Sequence, residues 1–227
     1  MQNMRNALTA GGVQGLFNNK QDESRMITDL VIPRENENEL ILEARKLGYQ
    51  KIILLYSPKE YEEKLALARE LAGLYQNFRV EAGVIIDSTK AKNLNNYQKK
   101  LRCLTVGRGF SPQFFRKNTI SSVFELELSS TGGSKYRSSG LNQVLCMEAV
   151  RSGTKLGISI SEVINSGDAE ILGRIVNNIR IAQKYGMEIT AASLARAPYE
   201  MRSPHDIRGL LRTLGVSGEN AARSLEQ

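Results

Sequence analysis

The whole chain of 227 residues contains one histidine, His205, which sits beside Asp206 with no Gly-x-Ser-x-Gly nucleophile turn anywhere. A Ser-His-Asp site needs that elbow, and catalytic zinc or paired metals need histidine clusters that one imidazole cannot supply. Cys103 and Cys146 lack metal-ligand spacing and read as buried thiols of a reducing compartment. Carboxylate-only Mg²⁺ binding would fall to Asp29 and Asp87, near strand ends. Lone aspartates there more often cap a loop, so no dedicated metal site is expected. The clearer chemistry belongs to cations in loops: Arg108 in Gly107-Arg108-Gly109, Lys135 and Arg137 after Gly132-Gly133, and Arg196 and Arg202 ahead of Ser203-Pro204-His205-Asp206. Thr131–Lys135 lacks the P-loop spacing and reads as a glycine turn whose N–H groups and Lys135 can meet phosphate oxygens.

The arginines Arg196 and Arg202 must be held by the elements around them. Residues 188–192 have a strand pattern. Ser203 suits an N-cap, Pro204 the first helical position and Asp206 the positive end of the helix dipole. Ile207, Leu210, Leu211 and Leu214 then form one apolar stripe that Gly215 ends. Two arginines on a loop between a strand and a capped helix make a candidate anion site. The plainer alternative is a surface loop with solvated arginines.

Charge distribution bears on that choice. The net charge is +7, and Lys90 to Lys155 holds 12 Lys and Arg against 3 Asp and Glu. Residues 1–89 hold 11 against 13, and residues 156–227 hold 8 against 8. The positive excess in the middle third points to a phosphate-rich partner, nucleic acid first, unless the fold scatters it. There is no apolar run of membrane-spanning length and no apolar signal-peptide core in the first 15 residues, so a cytoplasmic protein is expected.

Seven segments read as strands: 27–32, 51–56, 80–86, 103–106, 123–128, 156–160 and 189–192. Helical patterns cover 36–47, 58–75, 141–151 and 169–185, a polar helix or loop covers 91–100, and two helices close the chain. Ile171, Ile175, Ile179 and Ala182 form a core or protein-contact stripe. Unbroken aliphatic strands alternating with helices predict a parallel sheet covered on both faces, and seven units predict a TIM-like (β/α) barrel. No eighth strand follows Val216, so the barrel is either incomplete or closed by an N-terminal segment. One barrel domain is expected over residues 26–227, after a loosely ordered lead-in of residues 1–25. Arg108, Lys135, Arg137, Arg196 and Arg202 would then share the rim at the strand C-termini.

Several blocks together resemble one family, the archaeal and eukaryotic ribonuclease P protein component 3, or thirty-kilodalton subunit family. They are Ile27–Pro33, Leu47–Tyr49, Tyr136–Leu145, Leu156–Ser161, Ala191–Ser193, Glu200–Asp206 and Leu214–Val216, within about residues 26–225. The resemblance implies a TIM-like barrel that is a subunit of ribonuclease P, the ribonucleoprotein endonuclease that removes the 5′ leader of precursor tRNA. It implies that the RNA is the catalyst, that Mg²⁺ serves the RNA, that this chain binds no cofactor, and that a second protein, component 2, is a partner. RNA phosphates are expected to meet Arg108, Lys135, Arg137, Arg196 and Arg202, with Arg116 and Lys117 second. Arg202 has a rival role, bracing the barrel end through a carboxylate. Asn142, Ser193, Ser203 and Asp206 are expected to shape loops. The alternative function is a barrel enzyme for a small phosphorylated substrate, with Asp29, Glu125 or Glu127 as its general base. A third is a protein scaffold with an acidic partner.

Overall fold

Unbroken aliphatic runs such as Ile52–Leu55 can bury both strand faces, which suits a parallel sheet. The computed structural model describes residues 26–94, 96–97, 101–116, 118–129 and 140–226. Seven strands form one sheet in chain order: β1 (Thr28–Val31), β2 (Lys51–Tyr56), β3 (Arg79–Asp87), β4 (Thr105–Arg108), β5 (Ser122–Phe124), β6 (Lys155–Ser159) and β7 (Ile189–Ala192). Each pairs in parallel with the next. Parallel pairs need crossovers. Helices α1 (Glu37–Lys46) and α2 (Tyr61–Leu74) follow β1 and β2, and α3 (Gln143–Ser152) precedes β6. Helices α4 (Ile160–Ser166) and α5 (Ala169–Lys184) precede β7, and α6 (Pro204–Thr213) and α7 (Gly218–Arg223) follow it. The β3–β4 and β4–β5 connections carry 3-10 turns, Ser88–Asn93 and Pro112–Phe115. This is a single-domain TIM-like α/β fold.

Strand side chains alternate between two cores. Leu54, Ile86, Val123 and Ile158 meet the helices in the larger one. Leu30, Ile53, Leu55, Val106, Phe124 and Ala192 fill the barrel interior. Phe124 needs a glycine opposite: a Cβ on Gly157 would lie 2.6 Å from its ring.

Among the described residues the ring closes without an eighth strand. Beyond β7 the chain runs on beside β1, with Leu194 N donating to Leu30 O (2.9 Å), Ile32 N donating to Ala195 O (2.9 Å), and a parallel bridge between Val31 and Ala195. At the other end of this seam the C-terminal segment enters. Thr28 N donates to Leu225 O (2.9 Å), Ala191 N to Ser224 O (3.0 Å), and Ile27 bridges Glu226 in antiparallel sense. Among the described residues, closure therefore comes from the chain beyond β7 and from the C-terminal segment. Residues 1–25 lie outside the described residues.

β1 and β3 differ from the sequence expectation by one residue at each end, and β4, β5 and β6 differ for reasons the structure shows. β4 lies over 105–108 rather than 103–106, because pairing with β3 carries Arg108 opposite Asp87 and the bare Gly107 lets Phe114 pack against the strand. Gly107 and Arg108 are thus strand, not loop. β5 stops at Phe124, since Glu125 adopts a left-handed φ of 58° and Leu126–Leu128 turn into a 3-10 helix. β6 ends at Ser159, where α4 begins.

Candidate nucleic-acid interface

In a β/α barrel the loops after the strand C-termini share one rim. Its charges fall into three sectors. The first follows β2, β3 and β4. Lys59 is exposed after Pro58, and Lys90 and Lys92 are exposed on the turn that follows β3. Arg108 ends β4 with Nε 2.6 Å from Oδ1 of Asp87, an ion pair across neighbouring strand ends. Lys90 reaches the β2 loop electrostatically: Glu60 lies below the usual carboxylate range, first through its bonds from Ser57, with Lys64 and Lys90 adding to the effect. Arg116 is placed differently, its Nε 3.1 Å from Oε2 of Glu148 on α3. That contact ties it to the helical layer.

The second sector joins the loops after β7 and β1. Asn36 links them, its Oδ1 accepting from Arg34 N (2.8 Å) and its Nδ2 donating to Arg196 O (2.9 Å). The exposed Arg34 therefore lies beside Arg196. Arg196 N donates to Oε2 of Glu200 (2.6 Å). Arg202 does brace the loop, but through carbonyls and not a carboxylate: Nη1 donates to Tyr199 O (2.8 Å) and Met201 O (2.7 Å). The reason is distance along the chain, since those carbonyls lie within three residues of it. The helix behind is capped, with Asp206 N donating to Ser203 Oγ (3.2 Å) and Ser203 Oγ donating to Asp206 Oδ2 (2.8 Å). Asn142 caps α3 by accepting from Leu145 N (3.1 Å).

The third sector, after β5 and β6, is acidic. Burial raises the Glu125 pKa; Arg108 and Arg196 pull it back, and Glu162 and Asp87 push it up. Glu125 thus feels both basic sectors at once, which brings Arg108 and Arg196 to the same mouth. Glu127 is 1% exposed and neither carboxyl oxygen has a hydrogen-bond partner. Burial drives its pKa up to about 7, and Glu125 and Glu162 add to the shift. Arg174 reaches the Glu127 carbonyl (3.1 Å) rather than its carboxylate.

Asp29 is not a rim residue. It is fully buried in the β1–β7 seam, where Oδ1 accepts from Leu30 N (2.9 Å) and Ser193 N (2.7 Å). Burial outweighs these donors and raises its pKa to about 6. Ser193 Oγ donates across the seam to Leu30 O (3.4 Å) and accepts from Ala195 N (3.1 Å), so both side chains stitch the seam. Asp87 is committed to Arg108. His205 is 98% exposed beside Asp206. Among the described residues no group of three His, Cys, Asp or Glu side chains is arranged to hold a metal, and no helix is long and apolar enough to cross a membrane. Both cysteines are free thiols, and burial raises the pKa of Cys146 to about 11. Lys117, Lys135 and Arg137 lie outside the described residues.

Sequence reasoning passed over Arg34, Lys59, Lys90 and Lys92. Its overlooked signal was position: Pro33-Arg34 and Pro58-Lys59 directly follow strands, and Lys90 stands three residues after Asp87.

Comparison with known proteins agrees with this fold. The chain is 26% identical over 198 residues to ribonuclease P protein component 3 of Methanothermobacter thermautotrophicus, covering 82% of this chain and 78% of that one. It is 21% identical to the component 3 protein of Methanocaldococcus jannaschii, over 81% of this chain and 79% of that one. A chain in a cryo-EM structure of archaeal ribonuclease P with mature tRNA shares the fold, with a TM-score of 0.71 and 16% identity over 88% of this chain and 87% of that chain. The sequence profile of the family RNase P subunit p30 matches residues 26–227, the whole barrel with its C-terminal seam, and the chain belongs to that family.

Proposed function

We propose that this subunit binds the ribonuclease P RNA through its basic rim, and that the RNA, served by Mg²⁺, performs the cleavage of precursor tRNA. The observation that carries this reading is the first sector. Lys59, Lys90 and Lys92 are exposed on two neighbouring loops, and none pairs with a carboxylate among the described residues. Cations held near one another repel, and Glu60 is the nearby acid that Lys90 feels. Phosphates relieve that repulsion and release their counterions on binding. Arg108 and Arg196 extend the footprint across the mouth, and Lys135 and Arg137 belong to it from the sequence. Arg116 stands at its edge, and Lys117 is assigned to it from the sequence alone. The C-terminal and helical faces are left for a second protein, component 2, in a complex that works in the cytoplasm. Family membership sets aside the small-substrate enzyme.

Reconstitution tests the reading. Adding the chain and its partner protein to the RNA lowers the Mg²⁺ needed for precursor-tRNA cleavage, whereas the chain alone cleaves nothing. Replacing Lys59, Lys90 and Lys92 together by Ala flattens the log–log salt dependence of RNA binding by about 0.7–0.9 for each phosphate that is no longer neutralised. An unchanged slope would remove this sector from the interface, and cleavage by the isolated chain would overturn the division of labour.

A further inference from the structure

Tyr199 is 79% exposed, more than any other large apolar side chain among the described residues. Its loop does not let it fold away. Residues Pro198–Glu200 form a 3-10 turn, with Glu200 N donating to Ala197 O and Met201 N to Pro198 O, both at 3.1 Å. Met201 is buried and pins the turn to the core. Tyr49 Oη donates to Arg202 O (2.8 Å), Asn36 holds Arg196 O, and Glu200 holds Arg196 N. The Arg202 guanidinium sits on the carbonyl of Tyr199 itself. The turn that carries the ring is therefore fixed, with Arg196 three residues before Tyr199 and Arg202 three residues after it, and Arg34 on the β1 loop that Asn36 ties to Arg196. Of the nearby acids, Glu200 accepts from Arg196 N and Asp206 from Ser203, while Glu35 is exposed beside Arg34.

An exposed aromatic ring on a rigid turn among arginines matches the chemistry of unpaired nucleotides. Every base offers a π-face, and guanidinium groups take the phosphates on either side. A ring carried on a fixed turn gives up only its own side-chain rotations on stacking. A protein hot spot would instead sit in an apolar surround. The loop around Tyr199 carries Arg196, Glu200 and Arg202 beside the small apolar Ala197 and Pro198, and Arg34 and Glu35 stand on the β1 loop tied to it. The exposed apolar side chains Val144, Met147 and Val150 lie elsewhere, on α3.

We infer that Tyr199 is a stacking platform for an unpaired RNA base, with Arg34, Arg196 and Arg202 taking the flanking phosphates. The inference rests on the reading that the rim binds RNA. It adds a recognition element that phosphate contacts lack, a preference for single-stranded over paired RNA.

The test uses the full chain, a short single-stranded RNA carrying 2-aminopurine, and a fully paired hairpin of the same length. The wild type quenches the single-strand fluorescence on binding. Tyr199→Ala and Tyr199→Leu weaken single-strand binding by about 5- to 150-fold and leave the salt slope and the hairpin affinity unchanged. Tyr199→Phe keeps the ring and the affinity. Arg196→Ala does the reverse, lowering the slope for both RNAs. Wild-type affinity in Tyr199→Ala, or equal losses in the Phe and Ala variants, would overturn the stacking role while leaving RNA binding by the rim intact. So would normal RNA binding by Tyr199→Ala with loss of the partner protein from the reconstituted complex. No salt-dependent binding of either RNA by the wild type would sink the underlying reading instead. Because Tyr199 is exposed, its replacement leaves the core intact, and matching thermal unfolding of each variant checks that.

Discussion

Glu127 and Asp29 are carboxyls that the fold buries without full hydrogen bonding, each with at least one orphaned oxygen. Burial moves them to about 7 and about 6 respectively. The sign follows from linkage. The native state keeps protons that the unfolded chain has already released, so stability is fully present below about pH 4 and falls as pH rises through 6 to 7. Glu127→Gln removes the charge and is expected to raise the melting temperature at pH 8, by up to roughly 3 kcal/mol of stability, with little change at pH 4. Thermal unfolding at the two pH values checks it, and equal shifts at both would assign the effect to packing. At the head of α6, Ser203→Ala removes the acceptor for Asp206 N. It is expected to cost about 1 kcal/mol in denaturant unfolding.

At the scale of elements, the β1–β7 seam is the weak join of a seven-stranded ring. The strands meet directly only near the rim, and the C-terminal segment supplies the hydrogen bonds farther down. Leu225 is fully buried there. Leu225→Ala is expected to cost about 2–5 kcal/mol, read from the urea midpoint. A loss under about 0.5 kcal/mol would mean that the segment only covers the seam. The β5–β6 pair makes a different demand. A methyl at Gly157 would collide with the Phe124 ring inside the barrel, and Gly157→Ala is expected to destabilise by about 1–3 kcal/mol.

For the whole molecule, the rim places cations over β2–β4 and over β7–β1, on either side of an acidic sector. The middle-third charge excess is thus only part of the surface, because Arg34, Lys59, Arg196 and Arg202 come from elsewhere in the chain. Arg196→Ala is expected to lower the salt slope of RNA binding by about 0.7–0.9. Arg45→Ala is the control. Arg45 stacks on Tyr75 at the C-terminal end of α1, away from the rim, and its replacement leaves the slope unchanged.

Local patterns in the chain were enough for β7, for α6 with its Ser203 cap, and for the alternation that means a parallel barrel. Those signals rest on neighbouring residues: aliphatic runs, helical stripes, and cap residues two or three positions from their targets. The motif blocks likewise pointed to the family before any geometry was known. The seam was not legible. Asp29 meets Ser193 across 164 residues, and the C-terminal segment meets β1 across nearly the full chain. Nor was the work of Arg202, whose reach to its own carbonyls depends on the turn that Tyr49 and Asn36 hold. Tyr199 looks ordinary in the sequence, and only the packing of its neighbours leaves it in water. Such features follow from long-range hydrogen bonds and burial, which no window of adjacent residues contains.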